Sequence, residues 1–327
     1  MTAGYVDHHV HLLRVAAGAM VRAGAASTPE GIAGYHRRVA AAGSTPMDEP
    51  AGEPAAQDLV VALGNALQQA ADLGLVGITE AGMSDWRHWE ALVDLRRRSG
   101  GRLPVGVRVL VASGAADLER MEAARSENDD VLAVVGVKFY ADGWLGPRTC
   151  ACSLPFADVE GNDTGILFQD AITLARRAAP FAEAGWGLAT HAIGDRAIET
   201  CLDAYEEIYG GVDGCRTAAP RIEHAQMLRP DLIARMADLG VVACIQPCFA
   251  TSDAESVALA LAGRFPEAYR WDHLLAAGVR VIAGSDFPIE TLDPSIGFER
   301  LTTGDHPLTA DVARTLLTTP LDSIWGR

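Results

Sequence analysis

Strand-like and helix-like stretches alternate along this chain, and the alternation repeats eight times. The β-rich runs are GYVDHH (4–9), GLVGITE (74–80), LPVGVRVLV (103–111), LAVVGVKF (132–139), GWGLATH (185–191), RIEH (221–224), GVVACIQ (240–246) and GVRVIAGSD (278–286). Between them lie stretches with apolar residues at helical spacing, such as QDLVVALGNALQQAADLG, FQDAITLARRAAPFAEAG and DLIARMADLG, several ending in Gly, a common helix stop. Eight strand–helix units in succession are the pattern of a parallel (β/α)8 barrel. A chain of 327 residues with a hydrophobic share of 49% fits it, since such a barrel takes about 250 residues plus insertions. We expect one α/β domain over residues 1–327, a TIM-type barrel.

Two connections are long. The first, about 12–58, contains STPEGIAGYHRRVA and the breaker-rich GSTPMDEPAGEPAAQ, which reads as a mobile loop. The second, about 140–168, is Gly/Pro-punctuated and carries Trp144 and Phe156, so it can fold over the barrel mouth as a lid. Both follow strands and therefore belong to the catalytic face of such a barrel. The formal charge of −16 argues against nucleic acid, which is bound by neutralising phosphates with Lys and Arg. No apolar run approaches the length of a membrane span and no secretory leader is visible. With six cysteines in no framework spacing, read as reduced thiols, this leads us to expect a cytoplasmic protein.

The strand ends carry the chemistry. In YVDHHVHLL, Asp7, His9 and His11 share one face of a strand while His8 looks the other way, toward the helix layer. Two imidazoles two residues apart can chelate one cation, or simply make a polar strand end. The other strand ends offer Lys138 on the fourth, His191 on the fifth, His224 on the sixth and Asp286 on the eighth. Singly each has a bland reading as a cap or surface group; together they fall where a barrel points them into one mouth.

HxH on strand one, Lys on four, His on five and six and Asp on eight resemble the pattern of the amidohydrolase superfamily. The strings KFYADGWLGPRT, THAIGDRAI, RIEHAQ and GSDFPIETLDP are similar to the branch that contains N-substituted formamide deformylase, from Asp7 to about Pro294. The resemblance implies that His9 and His11 bind the more buried metal with Asp286 as a further ligand. Lys138, carboxylated by carbon dioxide to a carbamate, would bridge to a second metal held by His191 and His224. Without that modification a single-metal site of His9, His11, His191 and Asp286 is the fallback. Zn²⁺ accepts such a set, and a site with an open position lowers the pKa of bound water from 15.7 to about 7. The hydroxide then attacks a carbonyl or amidine carbon, with Asp286 as general base and then acid.

The expected activity is metal-dependent hydrolysis of a C–N bond (amide, N-formyl or cyclic amide) in a small molecule, in a specialised and biosynthetic role. Deamination, elimination or cyclisation at the same site, and a non-catalytic metal-binding barrel, are the alternatives. Asp7 reads as a group that hydrogen-bonds a ligand from one layer deeper. Glu80 reads as a contact for a cationic substrate group or a turn cap. Tyr140, Asp142, Trp144 and Arg148 are candidates for substrate contact, Arg148 either on a carboxylate or paired with Asp142. Gln246 and Phe249 face the same mouth, and Asp195 and Arg196 have a structural place at a helix start. Relatives of this branch carry a β-sandwich built from segments before and after the barrel. This sequence has no room for it, so we expect a barrel without the sandwich and a face that a homodimer could cover.

Overall fold

The structure, a computed structural model, describes residues 4–16, 29–41, 56–264 and 268–325. The eight expected strands are all present: β1 (Tyr5–Val10), β2 (Leu75–Met83), β3 (Gly106–Ala112), β4 (Leu132–Tyr140), β5 (Gly187–Ala192), β6 (Arg221–His224), β7 (Val242–Ile245) and β8 (Arg280–Ala283). They pair in sequence order, every neighbour parallel. The ring closes just beyond β8: Val10 forms a parallel bridge with Phe287, the His11 N–H donates to the Phe287 carbonyl (2.8 Å) and the Asp286 N–H to the His9 carbonyl (2.7 Å). The architecture is a (β/α)8 barrel. Its strands are buried on both faces, which is why they read as apolar runs rather than as alternating ones.

The helices are α1 (Leu12–Ala16), α2 (Pro29–Ala41), α3 (Ala56–Asp72), α4 (Trp86–Arg98), α5 (Leu118–Arg125), α6 (Ala171–Glu183), α7 (Asp195–Ile208), α8 (Val212–Ala218), α9 (Pro230–Leu239), two short turns α10 (Phe249–Ser252) and α11 (Ala254–Ser256), α12 (Trp271–Ala276), α13 (Pro294–Thr303) and α14 (Ala310–Thr318). Side chains start several of them: Asp85, Asp117, Asp170, Asp293 and Thr309 each accept a first-turn N–H. The first long connection is therefore not one loop, since α1, α2 and the start of α3 lie inside it. Most of GSTPMDEPAGEPAAQ lies outside the described residues. The second connection is irregular as expected, pinned by an antiparallel bridge between Asp142 and Leu167. No helix among the described residues is long and apolar enough to cross a membrane, and all six cysteines are buried and free.

The floor of the barrel is plugged from the C-terminal side. A Cβ at Gly77 would meet Leu321, one at Gly187 would meet Trp325, and Arg108 pairs with Asp322. At the opposite end β1 and β8 come close enough that only a glycine fits between them. A Cβ at Gly284 would stand 2.4 Å from the His9 nitrogen, 2.6 Å from the His9 Cβ and 2.9 Å from Asp7 Oδ1. Gly284→Ala should therefore destabilise the fold by about 1–3 kcal/mol, measured as a lowered urea midpoint. An unchanged midpoint would show that the two strands do not approach this closely.

Candidate metal centre

His9 is placed by its backbone before its ring. Asp7, two residues earlier on the same face, accepts from the N–H of His9 (3.0 Å) and of Ser285 (2.9 Å), tying β1 to the residue before Asp286. Asp7 thus positions His9 through its backbone amide. His8 faces the helix layer and donates from Nε2 to the Thr319 carbonyl (3.0 Å). Past the closure, His9 Nε2 and His11 Nε2 lie 3.3 and 3.2 Å from the same atom, Asp286 Oδ1. A carboxylate stands behind each ring: Glu223 Oε2 at 2.5 Å from His9 Nδ1, and Glu80 Oε1 at 3.8 Å from His11 Nδ1.

His191 and His224 complete the cluster, their rings 4.5 Å apart and the His224 ring 5.0 Å from that of His9. His191 Nε2 meets the Gly143 carbonyl at 2.9 Å and His224 Nδ1 meets Gln246 Oε1 at 2.7 Å, which leaves the other nitrogen of each ring as the one with a lone pair. Burial pushes the His191 pKa down to about 3 and that of His224 well below its usual value, so both rings are neutral. Burial lowers His11 too, but the Asp286 and Glu80 carboxylates more than reverse it. Lys138 is fully buried on β4, its Nζ 5.1 Å from the Tyr140 ring, and burial brings its amine down to about 8.

His224 and Asp286 carry φ angles of 76° and 59°, left-handed values that a side chain with a Cβ rarely adopts. Strict alternation along RIEH would send Glu223 into the barrel and His224 away from it. The left-handed turn at His224 brings it back, so consecutive residues both reach the cluster.

Buried polar atoms without a hydrogen-bond partner gather here: His9 Nε2, His11 Nδ1, Glu80 Oε1, Lys138 Nζ and Asp286 Oδ1. Ligand atoms around a tetrahedral zinc with bonds of about 2.0–2.1 Å stand about 3.3 Å apart, the spacing of Asp286 Oδ1 from each imidazole. His9, His11 and Asp286 therefore fit a cation. His9, Glu223 and Cys244 also lie within 4.8 Å of one another, but Arg221 already occupies Glu223 through an ion pair, which disfavours a second positive charge there.

Several expected substrate contacts turn out to support the site instead. Glu80 is fully buried, and its Oε2 accepts the Leu13 N–H (3.0 Å) at the start of α1. Asp142 is buried and holds three backbone amides, those of Ala151, Ile193 and Gly194, at 2.8–3.1 Å. Arg148 does not pair with Asp142; it pairs with Asp158 and donates to the Leu145 and Gly146 carbonyls. Gln246 stands behind His224, and Phe249 stacks on the same ring at 6.0 Å. Asp195 and Arg196 tie the start of α7 to the lid, at the Ser153 amide and the Thr164 hydroxyl. Tyr140 stacks on His191 at 5.3 Å, and Trp144 is 41% exposed, so these two remain the candidates nearest the mouth. Sequence reasoning missed Glu223, although it sits beside His224 in a quoted string, and it missed His36. Helix α2 docks on the lid through that residue: His36 meets the Thr149 hydroxyl at 2.9 Å and packs edge-on against Trp144 (4.5 Å) and Phe168 (5.5 Å).

The amidohydrolase family profile matches residues 1–315 of the chain. YtcJ of Bacillus subtilis (strain 168), an amidohydrolase by name, is 34% identical over 202 residues, 62% of this chain and 37% of its own. Protein LONG AFTER FAR-RED 3 of Arabidopsis thaliana is 28% identical over 282 residues, 77% of this chain and 48% of its own. The chain thus spans less than half the length of these two relatives. Two uncharacterized metal-dependent hydrolases share the fold. The one from Pyrococcus furiosus has a TM-score of 0.69 at 24% identity over 81% of this chain and 55% of its own. The one from Pyrococcus horikoshii OT3 has 0.70 at 21% over 96% and 77%.

Burial lowers the His36 pKa from its ordinary 6.5 to about 4, so folding favours the neutral ring. The unfolded or undocked segment takes up a proton first, and docking of α2 weakens as pH falls from about 6.5 toward 4. Hydrogen exchange in residues 29–41 should rise across that window and stay flat in His36→Gln. Equal acid sensitivity in the two proteins would refute the link.

Proposed function

The chain belongs to the amidohydrolase family, and from that premise we propose that it is a metal-dependent hydrolase of C–N bonds in small molecules: amides, N-formyl groups or cyclic amides. The observation that carries this reading is the convergence of His9 Nε2 and His11 Nε2 on Asp286 Oδ1 at 3.3 and 3.2 Å. These three residues would hold one divalent cation, and the imidazole–carboxylate set suits zinc. A free ammonium has three donors and no lone pair, so Lys138 cannot ligate as it stands. As a carbamate, formed from its amine and carbon dioxide with loss of a proton, it would offer two oxygens between that cation and a second one held by His191 and His224. Its burial and its partnerless Nζ are what support the modification.

When bound, such cations supply a Lewis acid that lowers the pKa of water from 15.7 to about 7 and polarises the substrate carbonyl. The chain's own residues do the rest. Asp286 takes the proton from the attacking water and returns it to the leaving nitrogen as the C–N bond breaks and the C–O bond forms. Gln246 holds the ring of His224 and Glu80 stands behind that of His11, while Tyr140 and Trp144 meet the substrate at the mouth. The lid, fastened by Asp142, Arg148 and Asp195, excludes bulk water.

Elemental analysis of the purified protein, followed by turnover of an amide panel with and without chelator, tests the reading; no bound metal and chelator-insensitive turnover would sink it. Asp286→Asn should lower turnover by about 10²–10⁴-fold with an unchanged circular dichroism spectrum, and full activity in that variant would remove the assigned role. Lys138→Ala should lose one of two metals and regain part of its turnover with added short carboxylates. If it keeps the wild-type metal content, the bridging role of Lys138 is wrong.

A further inference from the structure

Beneath the cluster, on the barrel floor, lies a fully buried ion pair that the proposed chemistry does not use. Arg221 and Glu223 sit two residues apart on β6 and so share its inward face; their side chains are 1% and 0% exposed. The carboxylate divides its oxygens. Oε1 takes the Arg221 Nε–H and Oε2 meets His9 Nδ1 at 2.5 Å. Arg221 in turn donates from Nη2 to the His8 carbonyl (3.1 Å) and lies 5.1 Å from the Trp325 ring that plugs the floor. Both the main chain beside His9 and the C-terminal plug therefore hold the guanidinium that holds Glu223.

His9 has a carboxylate at each ring nitrogen, and a neutral imidazole has one proton to give. With the proton on Nδ1, Glu223 accepts it and Nε2 keeps a lone pair facing Asp286; with it on Nε2, Asp286 accepts it and no lone pair is left for a cation. Geometry decides between them. Glu223 stands at 2.5 Å and Asp286 at 3.3 Å, and a carboxylate oxygen this close outcompetes one at the edge of hydrogen-bond range.

We propose that Glu223, clamped by Arg221, is a positioning residue that selects the Nδ1–H tautomer of His9 and so presents Nε2 to a divalent cation. The inference rests on the metal reading above and deepens it. It gives Arg221 and the floor of the barrel a part in building the site at its mouth. A carboxylate behind a metal-binding histidine has a recognised effect, since losing such a partner costs about 10–100-fold in metal affinity.

The test compares two double variants that remove the buried ion pair equally and differ in whether His9 keeps an acceptor. In Arg221→Met with Glu223→Gln, the amide oxygen is free to accept the Nδ1–H; in Arg221→Met with Glu223→Leu, nothing is. Zinc affinity is read by chelator competition, and the His9 tautomer by ¹⁵N NMR of the metal-free proteins, assigned with His9→Gln. We expect Nδ1–H at His9 in the wild type and in the Gln variant, with zinc affinity in the Gln variant within a few-fold of the wild type. The Leu variant should lose the tautomer preference and bind zinc about 10–100-fold more weakly. Equal zinc affinity in the two variants, or an Nε2–H tautomer in the wild type, would overturn the proposal. If both variants fail to fold, the wild-type tautomer decides it. A wild type that takes up no zinc would instead defeat the hydrolase reading, while the NMR comparison still judges Glu223.

Discussion

The seam between the first and last strands is where the fold and the site become one object. A parallel barrel of eight strands closes only if β1 meets β8, and here the meeting is made by the residues that carry the chemistry. The Asp286 N–H donates to the His9 carbonyl, the His11 N–H to the Phe287 carbonyl, and Asp7 accepts from the amides of both His9 and Ser285. Gly284 allows that approach by having no Cβ to collide with His9. The 3.2–3.3 Å convergence of two imidazoles on one carboxylate follows from backbone bonds that would have to form anyway to close the sheet. Loss of the seam and loss of the centre are therefore the same event.

The layer behind the ring nitrogens shows how a buried polar centre is kept in order. Three imidazoles of the cluster have one nitrogen held by a hydrogen-bond partner, Glu223 for His9, the Gly143 carbonyl for His191 and Gln246 for His224, while Glu80 stands 3.8 Å behind His11. A buried polar atom left without a partner costs about 1–3 kcal/mol, and a half-satisfied network is where rigidity is lost. The partnerless His9 Nε2 and Asp286 Oδ1 instead face each other at the shared centre, 3.3 Å apart.

Eight strands and their order were legible in the sequence because each strand is a short apolar run, and the six candidate residues because five of those runs carry a histidine, lysine or aspartate at or just past their ends. A barrel delivers every strand end to one mouth regardless of the details of the helices. What was not legible depends on contacts between residues far apart in the chain. Glu80, Asp142, Arg148 and Gln246 are of the right types for substrate contact, and nothing local distinguishes a carboxylate that meets a ligand from one that holds three amides. Glu223 was hidden by the alternation rule itself, which allows it or His224 to face inward but not both. Helix α2 was hidden by breakers: Pro29 and Gly34 made its segment resemble loop, although proline is tolerated at a helix start and α2 begins at Pro29.

The left-handed backbone at His224 and Asp286 gives that exception its physical meaning. Residues held in such regions cost of order 1–3 kcal/mol each and persist only where the surroundings over-determine them. At Asp286 the amide is fixed by the His9 carbonyl, and after His224 the Ala225 amide is fixed by the Ala192 carbonyl at 3.1 Å. The strain sits at two of the six expected ligands and nowhere in β1, where ordinary extended geometry already aligns His9 with His11. Strand geometry alone can place two ligands on one edge; gathering more from β6 and β8 requires the backbone to turn at the strand end. The chain bends where convergence demands it, and the neighbouring carbonyls hold the bend.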